Sequence, residues 1–111
     1  MAARPPRRRA PKHLDPPTRR WWVQVARDYE LEAHHLRLLT LACEAWDRGL
    51  KAREVLAVEG LTFEDRFDQP KARPEVAIAR DAAIMFARLI RELALDVEPP
   101  PSRLPRVGGQ K

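Results

Sequence analysis

GLTFEDRFDQPKARPE, residues 60–75, lies between two long helix-like stretches and decides how they are joined. Gly60 can take the left-handed backbone that ends a helix. Leu61-Thr62-Phe63 is a short alternating run, Glu64-Asp65 an acidic turn, and Arg66-Phe67 a second short run; Asp68-Gln69-Pro70 follows, and Pro74 can open a helix. Two β-compatible runs around a turn predict a stub of β-hairpin. A connection this short leaves the flanking helices little choice but to pack antiparallel.

Working outward, the stretch before the loop predicts a helix over about residues 33–59, roughly 40 Å long at 1.5 Å per residue. It carries two apolar rows: Leu36, Leu39, Cys43, Trp46 and Leu50, then Leu38, Leu41, Ala45, Ala52 and Leu56. A helix apolar on more than one side must be covered on more than one side, and in a chain of 111 residues another subunit is one candidate cover. The stretch after the loop predicts a helix over about residues 74–95, with Val76, Ala79, Ala83, Phe86, Ile90 and Leu93 as one row and Ile78, Ala82, Met85 and Leu89 as another. A shorter helix is expected over about residues 17–29, opened by Pro16-Pro17, with Trp21, Trp22, Val25 and Ala26 on one face. The expected fold is mainly α: a short N-terminal helix, then a long antiparallel helical hairpin with a small β-hairpin at its connection. The core is expected over residues 15–97.

Proline marks the edges of that core. Five of the eleven prolines lie within residues 5–17 and four within 99–105, with none between 18 and 69. Residues 1–14 read as a disordered basic arm and 98–111 as a disordered Pro-rich tail, since Arg and Pro offer too little apolar area to offset ordering entropy. Charge follows the same division. Residues 1–20 hold Arg4, Arg7, Arg8, Arg9, Lys12, Arg19 and Arg20 against Asp15 alone, whereas residues 21–98 hold eleven basic and fifteen acidic side chains. The net charge of +5 thus belongs to the ends. Basic arms on a mildly acidic body suit a polyanion, because each cation at a phosphate releases condensed counterions; the alternative is that they only keep a small protein in solution.

Cys43 is the only cysteine, so no internal disulfide is expected and a reducing cytoplasm is the default. No apolar run approaches the ~20 residues of a membrane span. Adjacent His34 and His35 point about 100° apart on a helix and cannot chelate one metal. His13 sits in the arm; all three histidines read as exposed or as capping a helix end. Glu64, Asp65 and Asp68 lack the spacing of a calcium loop and read as a solvated turn. Cys43 has no base at hydrogen-bonding spacing, and the chain has no nucleophile elbow or phosphate-cradling loop, so no enzyme, cofactor or metal is expected. The tryptophans Trp21, Trp22 and Trp46 can stack on bases, but core or subunit contact is the better reading, and with Val25, Leu38 and Leu41 they form the expected subunit interface. The second helix is too long and too apolar for a recognition helix, so any DNA contact should be mostly to the backbone.

The order of these elements resembles the small subunit of tailed-phage terminases, in the branch with a compact helical core. The resemblance covers about residues 13–96. It rests on residues 36–47, on the loop with Gly60, Leu61, Asp65 and Lys71, and on the last helix with Arg80-Asp81 and Phe86-Ala87-Arg88-Leu89. Asp68 stands where this family often has Gly, and Arg73-Pro74 where His-Pro often opens the last helix. The resemblance implies a non-catalytic factor of the host cytoplasm. It would bind double-stranded viral DNA and regulate the ATPase and nuclease of the large terminase subunit, as a homo-oligomeric ring of about eight to ten subunits. Arg4, Arg7, Arg8, Arg9, Lys12, Arg19 and Arg20 would form the DNA-binding fringe, and the Pro-rich residues 99–105 are a candidate docking tail. Two alternatives from other classes remain: a helical adaptor with no DNA role, and a small basic nucleic-acid chaperone.

Overall fold

The structure, a computed structural model, describes residues 8–95. It contains α1 (Pro16–Asp28), α2 (Ala33–Glu59), β1 (Thr62–Glu64), β2 (Pro70–Ala72) and α3 (Pro74–Leu93). Residues 1–7 of the expected arm and the whole expected tail, 98–111, lie outside the described residues.

Helices α2 and α3 form the expected hairpin, and small residues set how closely they approach. Ala42 and Ala45 are fully buried, Ala52 and Ala82 nearly so. A Cβ added to Gly49 would sit 3.1 Å from the Cβ of Ala82 and 3.2 Å from the Arg53 guanidinium. Glycine costs a helix interior ~1 kcal/mol relative to alanine, and its presence here matches that close crossing.

Helix α1 packs against the first half of α2. Its Thr18 contacts Asp47 and its Trp22 contacts Thr40, so its partner on α2 runs backwards as α1 advances and the two are antiparallel. Leu14, Trp22, Val25, Leu31, Leu39, Cys43 and Leu93 form the main core cluster, drawn from all three helices and the segments before and after α1. Burial of such side chains contributes ~1.5–3 kcal/mol each. The two apolar sides of α2 are therefore covered in large part from within the chain, by α1 and α3. The packed body also starts before residue 15, where the sequence reading began it: Leu14 is only 3% exposed, because its side chain closes the core beside the start of α1.

At the connection, β1 and β2 pair antiparallel with Thr62 opposite Ala72, Phe63 opposite Lys71 and Glu64 opposite Pro70. The hairpin is present, but its second strand is not Arg66-Phe67. Those residues lie in the turn, and pairing resumes at Pro70. The Asp65 carboxylate explains the shift, because it accepts the amides of Phe67 at 2.8 Å and Gln69 at 3.0 Å and folds the intervening chain into a loop. Asp68 sits at φ +60°, so it holds the left-handed conformation that glycine takes most readily and aspartate tolerates. Gly60 closes α2 at φ +87°.

Candidate nucleic-acid and assembly surfaces

Helix α1 begins with two prolines and no capping bond from the side chain of Asp15. Asp47 of α2 anchors this entry from outside the helix. Its carboxylate takes the Asp15 amide at 2.9 Å and the Thr18 hydroxyl at 2.5 Å, although Asp47 is only 8% exposed. One turn further along α1, the Trp22 indole N–H donates to Thr40 Oγ1 at 3.1 Å, and that hydroxyl donates to the Leu36 carbonyl at 2.9 Å. These bonds, at 18 and 22 on α1, orient the helix rigidly. The Tyr29 hydroxyl donates to the Leu95 carbonyl at 2.9 Å and fastens the far end of α1 to the end of α3.

That frame positions the basic residues. Arg8 donates to the Leu31 carbonyl at 3.0 Å, which ties the segment before α1 to the one after it. His13 Nε2 lies 2.7 Å from Glu44 Oε2, a second tie, onto α2. Arg9, Lys12 and Arg20 are exposed, and Arg19 is half-buried with a guanidinium nitrogen 3.5 Å from the Lys12 carbonyl. Lys12 and Arg19 are thus brought together. Arg4 and Arg7 lie outside the described residues.

The expected subunit-contact residues divide in two. Trp22 at 5% exposure and Val25 at 6% are committed to the core of their own chain. Leu41 and Trp46 remain exposed, and Trp21 and Leu38 are half-buried. Phe86 of α3 stands between Trp21 and Trp46, with ring centroids 6.2 Å and 5.1 Å away, in the tilted arrangement aromatic rings favour. The Arg53 guanidinium lies 5.5 Å over Trp46. The three helices therefore share an aromatic junction that is open on the Trp46 side.

Two open grooves mark α2 and α3. The larger, about 560 Å³, is lined by apolar Leu14, Val55 and Ile78 and by charges of both signs, including Glu44, Arg48, Lys51 and Glu75. The smaller, about 450 Å³, lies between Leu41 and α3. Cys43 is fully buried, and burial first, then the Asp47 and Glu44 carboxylates, push its thiol up to about 12. At neutral pH it is a protonated packing residue. The Glu32 amide donates to His35 Nδ1 at 3.2 Å, so His35 caps the start of α2. No group of three potential metal ligands occurs among the described residues, and none of the described helices is long and apolar enough to cross a membrane.

Several contributors were not singled out from sequence: Asp47, Thr18, Thr40, Gly49, and the outward Ile84. The small residues Ala42, Ala45, Gly49 and Ala52 recur at three- and four-residue spacing, a signal that does mark a close helix crossing. A lone Asp in an apolar row carried no such signal, because its partners are 29 and 32 residues away.

The chain is thus a braced helical hairpin with cations exposed around the start of α1 and apolar side chains left outward on α2 and α3. Residues 19–100 match the family described as phage terminase, small subunit, and the chain belongs to that family. No curated protein and no solved structure matches it.

Proposed function

We propose that this chain is a non-catalytic DNA-packaging factor. It binds double-stranded viral DNA through the phosphate backbone, regulates the ATPase and nuclease of the large terminase subunit, and works in the host cytoplasm as a ring of about eight to ten copies. The observation that carries the reading is the family match over most of the helical body. The surface chemistry supports it. Arg9, Lys12 and Arg20 are exposed around the start of α1, and Arg19 stands beside Lys12.

Such cations neutralise phosphates and release counterions, which gives affinity without base reading. Repeated around a ring, weak contacts add through effective concentration. The half-buried Trp21 and Leu38 and the exposed Leu41 and Trp46 are the residues of the expected set left to serve contacts between subunits; Trp22 and Val25 act indirectly, by holding α1 in place.

The test is duplex binding at several salt concentrations by the intact chain and by the variant Arg9→Gln/Lys12→Gln/Arg20→Gln. These exposed positions can lose charge without disturbing the core. The log–log salt slope of the variant should be shallower by about 0.9 for each phosphate contact removed, with the assembly mass unchanged. An unaltered slope would remove these residues from the DNA contact, and an intact chain indifferent to duplex at low salt would end the DNA reading.

A further inference from the structure

Packing against α2 leaves one flank of α3 uncovered. Ile84 and Met85 keep 45% and 46% of their surface exposed, and Leu41 of α2 keeps 48%. With Leu89 they line the smaller groove, whose two charged residues are Asp81 and Arg88. Seven residues separate these charges, close to two helical turns, so both stand on the same side of α3 with the Ile84-Met85 pair between them.

The midpoint between Asp81 and Arg88 falls between Ile84 and Met85, and this makes the flank complementary to itself. Place a second copy of α3 antiparallel across that midpoint, and Asp81 meets the second copy's Arg88, Arg88 meets its Asp81, and Ile84 and Met85 each adjoin their own counterparts beside the two-fold axis. A parallel arrangement in register would oppose like charges instead. Asp81 also lies 3.3 Å from its neighbour Arg80, but both side chains are well exposed, and an exposed pair of this kind holds a carboxylate only weakly.

We infer that this flank of α3 is a two-fold contact between copies of the chain, with Ile84, Met85, Leu89 and Leu41 as its apolar centre and the two Asp81–Arg88 pairs at its edges. In such an isologous contact each interaction occurs twice. It closes at two copies, so it is separate from the head-to-tail contact a ring requires, and it assigns Leu41 to the two-fold contact. It yields a dimer without the ring contact and an even copy number with it. The inference does not depend on DNA binding.

Symmetry supplies the experiment. Arg88→Asp and Asp81→Arg, made singly, each set like charges against each other twice per contact and should weaken the self-association seen by light scattering roughly tenfold or more. The double variant Asp81→Arg/Arg88→Asp should restore it, because both copies carry both changes. Independently, Met85→Cys should link two copies through a disulfide under mild oxidation much faster than Val58→Cys, an exposed control for chance collision away from this flank; buried Cys43 does not compete. A multimer that ignores the single charge changes and does not link through position 85 overturns the two-fold contact while leaving a ring standing. A species no larger than a dimer that links and responds to the charge changes upholds the contact and removes the ring.

Discussion

Asp47 carries more of this fold than its single place on an apolar helix suggests. It satisfies the first amide of the α1 entry and the Thr18 hydroxyl from a nearly closed site, so removing it leaves both groups unpaired. Asp47→Ala should cost about 1.5–3 kcal/mol of stability, read from the shift of the urea midpoint, whereas an exposed acid such as Glu54 should be near-neutral to the same change. Cys43 behaves differently. Its ordinary value is 9.0 and the fold holds it at about 12, so between those two pH values the unfolded thiol ionises while the folded one keeps its proton. Stability should therefore fall as pH rises from 9 towards 12, and the Cys43→Ala variant should lose that part of the decline. Across the neutral range the thiol should resist modification until the chain opens, a contrast that a thiol-reactive dye measures directly.

The elements owe their positions to different kinds of information. Helix existence and the antiparallel hairpin were legible in the periodicity and in the proline distribution, and α2 has the bounds expected of it. The second strand was not, because residues 66 and 67 have strand-like composition but the Asp65 side chain recruits their backbone into a turn. That contest between a side-chain acceptor and a ladder is local, and composition does not weigh it. Asp65→Ala should lower hydrogen-exchange protection across residues 62–72 and leave α1 unaffected. At the left-handed position, Asp68→Val should cost about 1–2 kcal/mol while Asp68→Gly is tolerated. What covers the residues expected between subunits was not legible. A row of apolar side chains shows that a face is covered, but not by what: Trp22 and Val25 are covered by their own chain, and Leu41 and Trp46 are not. The seam at Gly49 is tested by Gly49→Leu, which should force α2 and α3 apart and cost ~1–3 kcal/mol.

For the whole molecule, the division seen in the charge pattern reappears in space. Exposed cations gather about the start of α1, while apolar side chains of α2 and α3 face outward. On the proposed function, those outward apolar side chains join copies of the chain into an assembly. Multi-angle light scattering of the intact protein at micromolar concentration tests it most directly. The expected result is a single species several times the 12.8 kDa of one chain; a stable species of 12.8 kDa across the concentration range would contradict it.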